Sequence, residues 1–134
     1  MPNAQTDPNV QYQPLDPQAL SKLRELDPGG GNQLLQRVVQ AYMKSLEHLL
    51  PELGRACMGQ IDLSVVKHVT HTLKSSSASL GAVHLAHICS EIETMARLGQ
   101  TAGIDSRLQA MHDELAHVRA ALNMLLHGAS AQSS

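Results

Sequence analysis

Eight histidines are spread along this chain of 134 residues, and His71 is distinguished by its neighbours. Lys67 precedes it by four positions, Lys74 follows by three, and Ser75 and Ala78 lie four and seven positions on. Those are the spacings at which side chains share one face of a helix. A neutral imidazole is a nitrogen nucleophile, and its ordinary pKa of ~6.5 leaves it mostly unprotonated at pH 7. An ammonium one turn away can offset charge on the oxygens of a phosphoryl group in transit, and positioning and charge stabilisation are most of the catalysis in that reaction class. Small residues beside the imidazole let a bulky phosphorylated loop approach closely. That combination suits phosphoryl transfer, with His71 placed to accept the group, Lys74 to stabilise its charge, and Lys67, Ser75 and Ala78 to form a docking surface; spacing alone leaves open the other reading, a surface histidine on an ordinary solvated face.

An imidazole acts this way only where a scaffold holds it outward. At ~100° per residue, a helix from about Leu63 to Leu80 gathers Val66, Val69, Thr70, Leu73, Ser77 and Leu80 within roughly 100° of arc, the side that a core buries. His71 lies roughly 150° from the centre of that arc. Asp62 is placed to cap this helix and Gly81 to end it. Another helix starts with Asp16 as cap and Pro17 in first position, and stops at about Leu26 before Asp27-Pro28-Gly29-Gly30-Gly31. Asn32 can cap the next, whose apolar residues Leu35, Val38, Tyr42, Leu46, Leu49 and Leu53 recur at helical steps. Pro51 inside it should kink that helix, or divide it near Glu47. A fourth helix spans about Ala82 to Leu98, with Leu85, Ile88, Ile92 and Met95 on one face. The last opens at Asp105 or Ser106 and carries Leu108, Met111, Leu115, Val118, Leu122 and Leu125. Connections this short favour antiparallel neighbours. The expected fold is all-α: an antiparallel four-helix bundle with a short additional N-terminal helix over residues 15–127, between a flexible arm (1–14) and a flexible tail (128–134).

Composition narrows the function classes. With 43% hydrophobic and 16% charged residues, the chain can bury a core and is not of disordered type. A net charge of −2 offers no basic face for duplex nucleic acid, and two Tyr without Phe or Trp offer few platforms for stacking single strands. Cys57 and Cys89 form no disulfide framework, the N-terminus has no signal-peptide layout, and no apolar run approaches the ~20 residues that span a bilayer. A soluble, reduced, cytosolic setting and a monomer are expected, with no nucleic-acid or membrane partner.

The stretch from His71 through Thr72-Leu73-Lys74-Ser75 to Gly81 resembles the signature of the histidine-containing phosphotransfer (HPt) domains of multistep phosphorelays. That signature is His, any residue, an apolar residue, Lys, a small residue, and Gly ten positions after the His. The similarity continues through Leu85 and Cys89 to Ile92-Glu93. It implies the HPt-like bundle, with His71 as phosphoacceptor and Lys74 as the lysine that offsets phosphoryl charge. Ser75 stands where the family most often has Gly, a departure that keeps the position small. Gly81 would turn the chain between two helices, and Glu93 would hold the other imidazole nitrogen and fix its tautomer. The implied partners are receiver domains of a hybrid sensor kinase and of response regulators. The acidic residue and Pro that follow the His of dimerising kinase domains are replaced by Thr72 and Ser76, and no Gly-rich ATP-binding segment exists. The implied role is a relay intermediate without autokinase activity, and no cofactor or metal is expected.

Other readings of the same residues exist. Glu93 sits at the edge of its helix's apolar stripe, where a carboxylate also serves as an ordinary salt-bridge residue. His68 with His71, and His84 with His87, are i,i+3 pairs that can contribute to a metal site, but three or four ligands are needed; with His112 and His117 they read better as polar-face residues. A silent adaptor with the same fold would dock partners without transfer. A hydrolase built on Ser75, Ser76 or Ser77 lacks the strained turn and ordered triad of that chemistry. Cys89 reads as a small core hydrophobe.

Overall fold

The computed structural model describes residues 13–31 and 33–132, the last five of these by their backbone only. The arm expected at 1–14 lies almost wholly outside the described residues, as does Asn32, the expected cap. Among the described residues there are five α-helices: α1 (Pro17–Glu25), α2 (Leu34–Ala56), α3 (Leu63–Ser79), α4 (Val83–Arg97) and α5 (Ile104–Gln132), with a single 3-10 turn at Pro28–Gly30. No strand occurs among the described residues. The helices α2 to α5 form the bundle and α1 packs on α2.

Local signals set most of the ends. Asp16 accepts from the Gln18 amide at 3.0 Å, with Pro17 in first position, so α1 begins where expected. Asp62 accepts from the amides of Ser64 and Val65, which caps α3. The start of α2 uses a longer connection. Gln33 adopts φ +55°, and the amide of Leu34 donates to the Asp27 carboxylate at 3.0 Å, across seven residues. Pro51 neither ends α2 nor divides it, and the helix runs unbroken from Leu34 to Ala56. Leu46, Leu49 and Leu53 are buried on either side of it, and this packing offsets the one backbone bond the proline removes. On α2, Val39 is fully buried while Leu35 and Val38 are half-buried, a slight turn of the face expected. Helix α5 begins at Ile104, one residue before Asp105, and continues to Gln132, past residue 127 where the bundle was expected to end.

The core is one contiguous apolar cluster drawn from all five helices. Leu73, Leu80, Leu85, Ile92, Met111 and Leu122 are among its fully buried side chains. The most extensive packing is between α3 and α4, joined by the short turn at Leu80–Ala82. Gly81 in that turn has φ +82°, and a Cβ there would lie 2.9 Å from the Ala19 Cβ and 3.1 Å from the Asp16 backbone. The Asp16 amide donates to the Gly81 carbonyl at 2.7 Å. The turn is thus also the seat of the start of α1.

Candidate functional site

What α3 buries decides what it presents. Val66, Val69, Thr70, Leu73 and Ser77 are all at 0% exposure. Each Val or Leu buried contributes ~1.5–3 kcal/mol, so rotating α3 by one residue would forfeit several such contributions. The polar atoms on the buried side are satisfied: the Thr70 hydroxyl donates to the Val66 carbonyl at 2.8 Å, and the hydroxyls of Ser77 and Tyr42 on α2 share a 2.9 Å hydrogen bond. The core therefore holds His71 outward, with 61% of its side chain exposed.

Helix α4 supplies the second half of the site. His71 lies eleven residues before Ala82 and Glu93 eleven after it, so an antiparallel hairpin turning there brings both to the same height. Glu93 Oε2 is 2.8 Å from His71 Nδ1, and Glu93 Oε1 is 2.6 Å from Lys74 Nζ. The carboxylate is mostly covered, at 16% exposure, and Lys74 is one-third exposed. The Lys74 ammonium beside Glu93, aided by the contact with His71 and opposed by partial burial, holds its carboxyl below the usual range. An ionised carboxylate only accepts hydrogen bonds, so Nδ1 is the donor and a neutral ring carries its lone pair on Nε2. Among the described residues Nε2 has no partner. The arrangement is an exposed nitrogen nucleophile with a fixed tautomer and an ammonium one turn away.

The residues expected on the His71 face are where the wheel puts them. Lys67, Ser75 and Ala78 are exposed along α3 on either side of His71. The sequence assigns Lys74 and Glu93 separate tasks, whereas in the structure one carboxylate holds both the ammonium and the imidazole. The sequence does not place α1: Ala78 and Ser79 share with Asp16, Ala19 and Lys22 a surface hollow of about 320 Å³, so α1 borders the end of the exposed α3 face that carries His71.

The other reactive side chains are accounted for otherwise. Among the described residues no group of three or more His, Cys, Asp and Glu side chains comes together to hold a metal ion. His87 lies 3.8 Å from Glu91, which also takes a 2.9 Å bond from Arg107 on α5. The Ser76 hydroxyl donates to the carbonyls of Thr72 and Leu73, and Ser77 is committed to Tyr42. Burial pushes the Cys89 thiol up to about 12, with the Glu93 charge adding to it, so Cys89 sits in the core as an inert group. Among the described residues no helix is long and apolar enough to cross a membrane.

Known proteins of this fold are similar to the chain. The Hpt domain family model matches residues 37–121, from within α2 to well into α5. Phosphorelay protein LuxU of Vibrio vulnificus, in each of two strains, is 35% identical over 78 residues, which cover 58% of this chain and 67% of that protein. The crystal structure of histidine-containing phosphotransfer protein B (HptB) from Pseudomonas aeruginosa PAO1 is similar at a TM-score of 0.66 and 28% identity, over 85% of this chain and 95% of that one. The matched span contains the α3–α4 hairpin with His71, Lys74 and Glu93, and the chain belongs to the Hpt domain family of histidine phosphotransfer proteins.

Proposed function

We propose that this protein relays a phosphoryl group between receiver-domain aspartates through phospho-His71. The observation that carries the reading is the pairing of His71 Nδ1 with Glu93 at 2.8 Å, which leaves Nε2 as the exposed nucleophile of the α3–α4 face. Nε2 attacks the phosphorus of an aspartyl phosphate, the bond from phosphorus to the acyl oxygen breaks, and its electron pair leaves with the carboxylate. Lys74 turns its ammonium toward the phosphoryl oxygens, one turn from the imidazole. Lys67, Ser75 and Ala78 form the surface on which the receiver loop seats, Lys67 supplying charge and the other two clearance. The reverse sequence returns the group to a second aspartate.

Hpt proteins are intermediates that interact with receiver domains. For this chain the partners are receiver domains of a hybrid sensor kinase and of response regulators, met as a monomer in the cytoplasm. It does not phosphorylate itself from ATP, since the sequence holds neither a P-loop nor a kinase glycine loop.

The test is incubation with a phosphorylated receiver domain. Wild type should acquire acid-labile, base-stable label, and His71→Gln should acquire none. Full labelling of His71→Gln overturns the assignment of the phosphoacceptor. Receiver binding without labelling of the wild type would make the chain a silent adaptor.

A further inference from the structure

The structure poses a charge problem at Glu93. In the resting protein its carboxylate serves two groups at once, the Lys74 ammonium at 2.6 Å and the Nδ1–H of His71 at 2.8 Å. When Nε2 takes a phosphoryl group while Nδ1 keeps its proton, the ring becomes an imidazolium and the phosphoryl oxygens bring about two negative charges. Two cationic and two anionic centres then lie side by side across the α3–α4 face. They pair best by an exchange, Lys74 going to the phosphoryl oxygens and Glu93 remaining on the imidazolium.

We propose that Glu93 sets the lability of phospho-His71, by holding the proton on Nδ1 so that the phosphoryl group departs from a neutral imidazole and not from an imidazolate. This inference rests on His71 being the phosphoacceptor. In transfer to an aspartate, a carboxylate oxygen bonds to phosphorus, the P–Nε2 bond breaks, and the electron pair returns to Nε2. The proton stays on Nδ1 throughout and the ring ends neutral. In hydrolysis, water takes the place of the carboxylate, and both of its protons leave with the phosphate. A proton on Nδ1 is therefore what makes the ring a competent leaving group. The charged groups set against the imidazole are Glu93 from α4 and, through it, Lys74 from α3. Glutamine at this position accepts the same hydrogen bond without the charge. It orients the ring equally well and holds the proton less strongly, since charge-assisted hydrogen bonds are roughly twice as strong as neutral ones.

The experiment compares purified phosphorylated wild type, Glu93→Gln, Lys74→Ala and the double variant at pH 8. The half-life of phospho-His71 is followed, and imidazole 15N NMR reports whether Nδ1 is protonated. Glu93→Gln should retain the wild-type circular dichroism spectrum and accept label on His71. Its phosphohistidine should last about tenfold longer, with Nδ1 less protonated than in wild type. The lengthening should persist between Lys74→Ala and the double variant. Equal half-lives for wild type and Glu93→Gln overturn the proposal. So does a lengthening that vanishes in the Lys74→Ala background, because the effect then runs through the ammonium. Label that survives in His71→Gln defeats the parent reading instead.

Discussion

At the scale of single residues, the site depends on how one carboxylate is shared. Lys74 offsets the charge of the Glu93 carboxylate at 2.6 Å in the resting protein, and in the proposed mechanism it leaves that carboxylate for a phosphoryl group. Lys74→Ala should leave the helical spectrum unchanged and slow phosphoryl transfer roughly a hundredfold, the lower end for loss of one charge-stabilising donor because Lys74 is one-third exposed; stopped-flow transfer from a labelled receiver measures it. An unchanged rate removes Lys74 from the mechanism. Glu93 also links the site to stability. Its folded-state pKa lies below the ordinary 4.5, so its stabilising contribution is fully present above that value and is lost as pH falls through the lower, folded value. Wild type should therefore exceed Glu93→Gln in Tm at neutral pH, with the gap closing as the pH falls below 4.5 and through the lower, folded value. A gap that stays constant from pH 7 to pH 3 contradicts the pairing. The wheel identifies His71 and Lys74 in the sequence, because one helix orders its own side chains. The shared carboxylate is not legible that way, since it depends on the register between α3 and α4.

At the scale of elements, the turn between α3 and α4 carries more than a change of direction. Gly81 joins a left-handed φ to an approach by α1 that leaves no room for a Cβ. Gly81→Ala should cost about 2–4 kcal/mol, from the left-handed backbone and the clash with Ala19 and the Asp16 backbone together. Urea unfolding gives the value. Because the clash involves α1, Ala19→Gly should recover part of the loss, and no recovery would leave backbone strain as the whole effect. A glycine ending a helix was legible from its position; its second role was not, because nothing near residue 81 in sequence signals that Asp16 and Ala19 lie against it. Pro51 gives the converse lesson. Its local preference favours a kink or a break, and with Leu46, Leu49 and Leu53 buried the helix continues through it without a break.

At the scale of the whole molecule, a single core fixes which groups are reachable. Cys89 is fully buried with its thiol pushed up to about 12, while Cys57 is half-buried at the end of α2 and raised by partial burial and the nearby Asp105. Ellman's reagent at pH 8 should therefore titrate one thiol quickly in the native protein and two after denaturation. Fast reaction of both in the native state would mean that the packing of α4 against the core opens readily.

The sequence by itself determined the helices, the faces they bury and the direction of His71, because apolar spacing along one helix specifies which side leaves water. It also carried the family pattern from His71 to Gly81. Only the tertiary structure decided that Glu93 binds imidazole and ammonium together, that α1 closes over Gly81, and that α2 passes unbroken through Pro51. Each of these is set by the packing of one element on another, whose register and distance no local periodicity records.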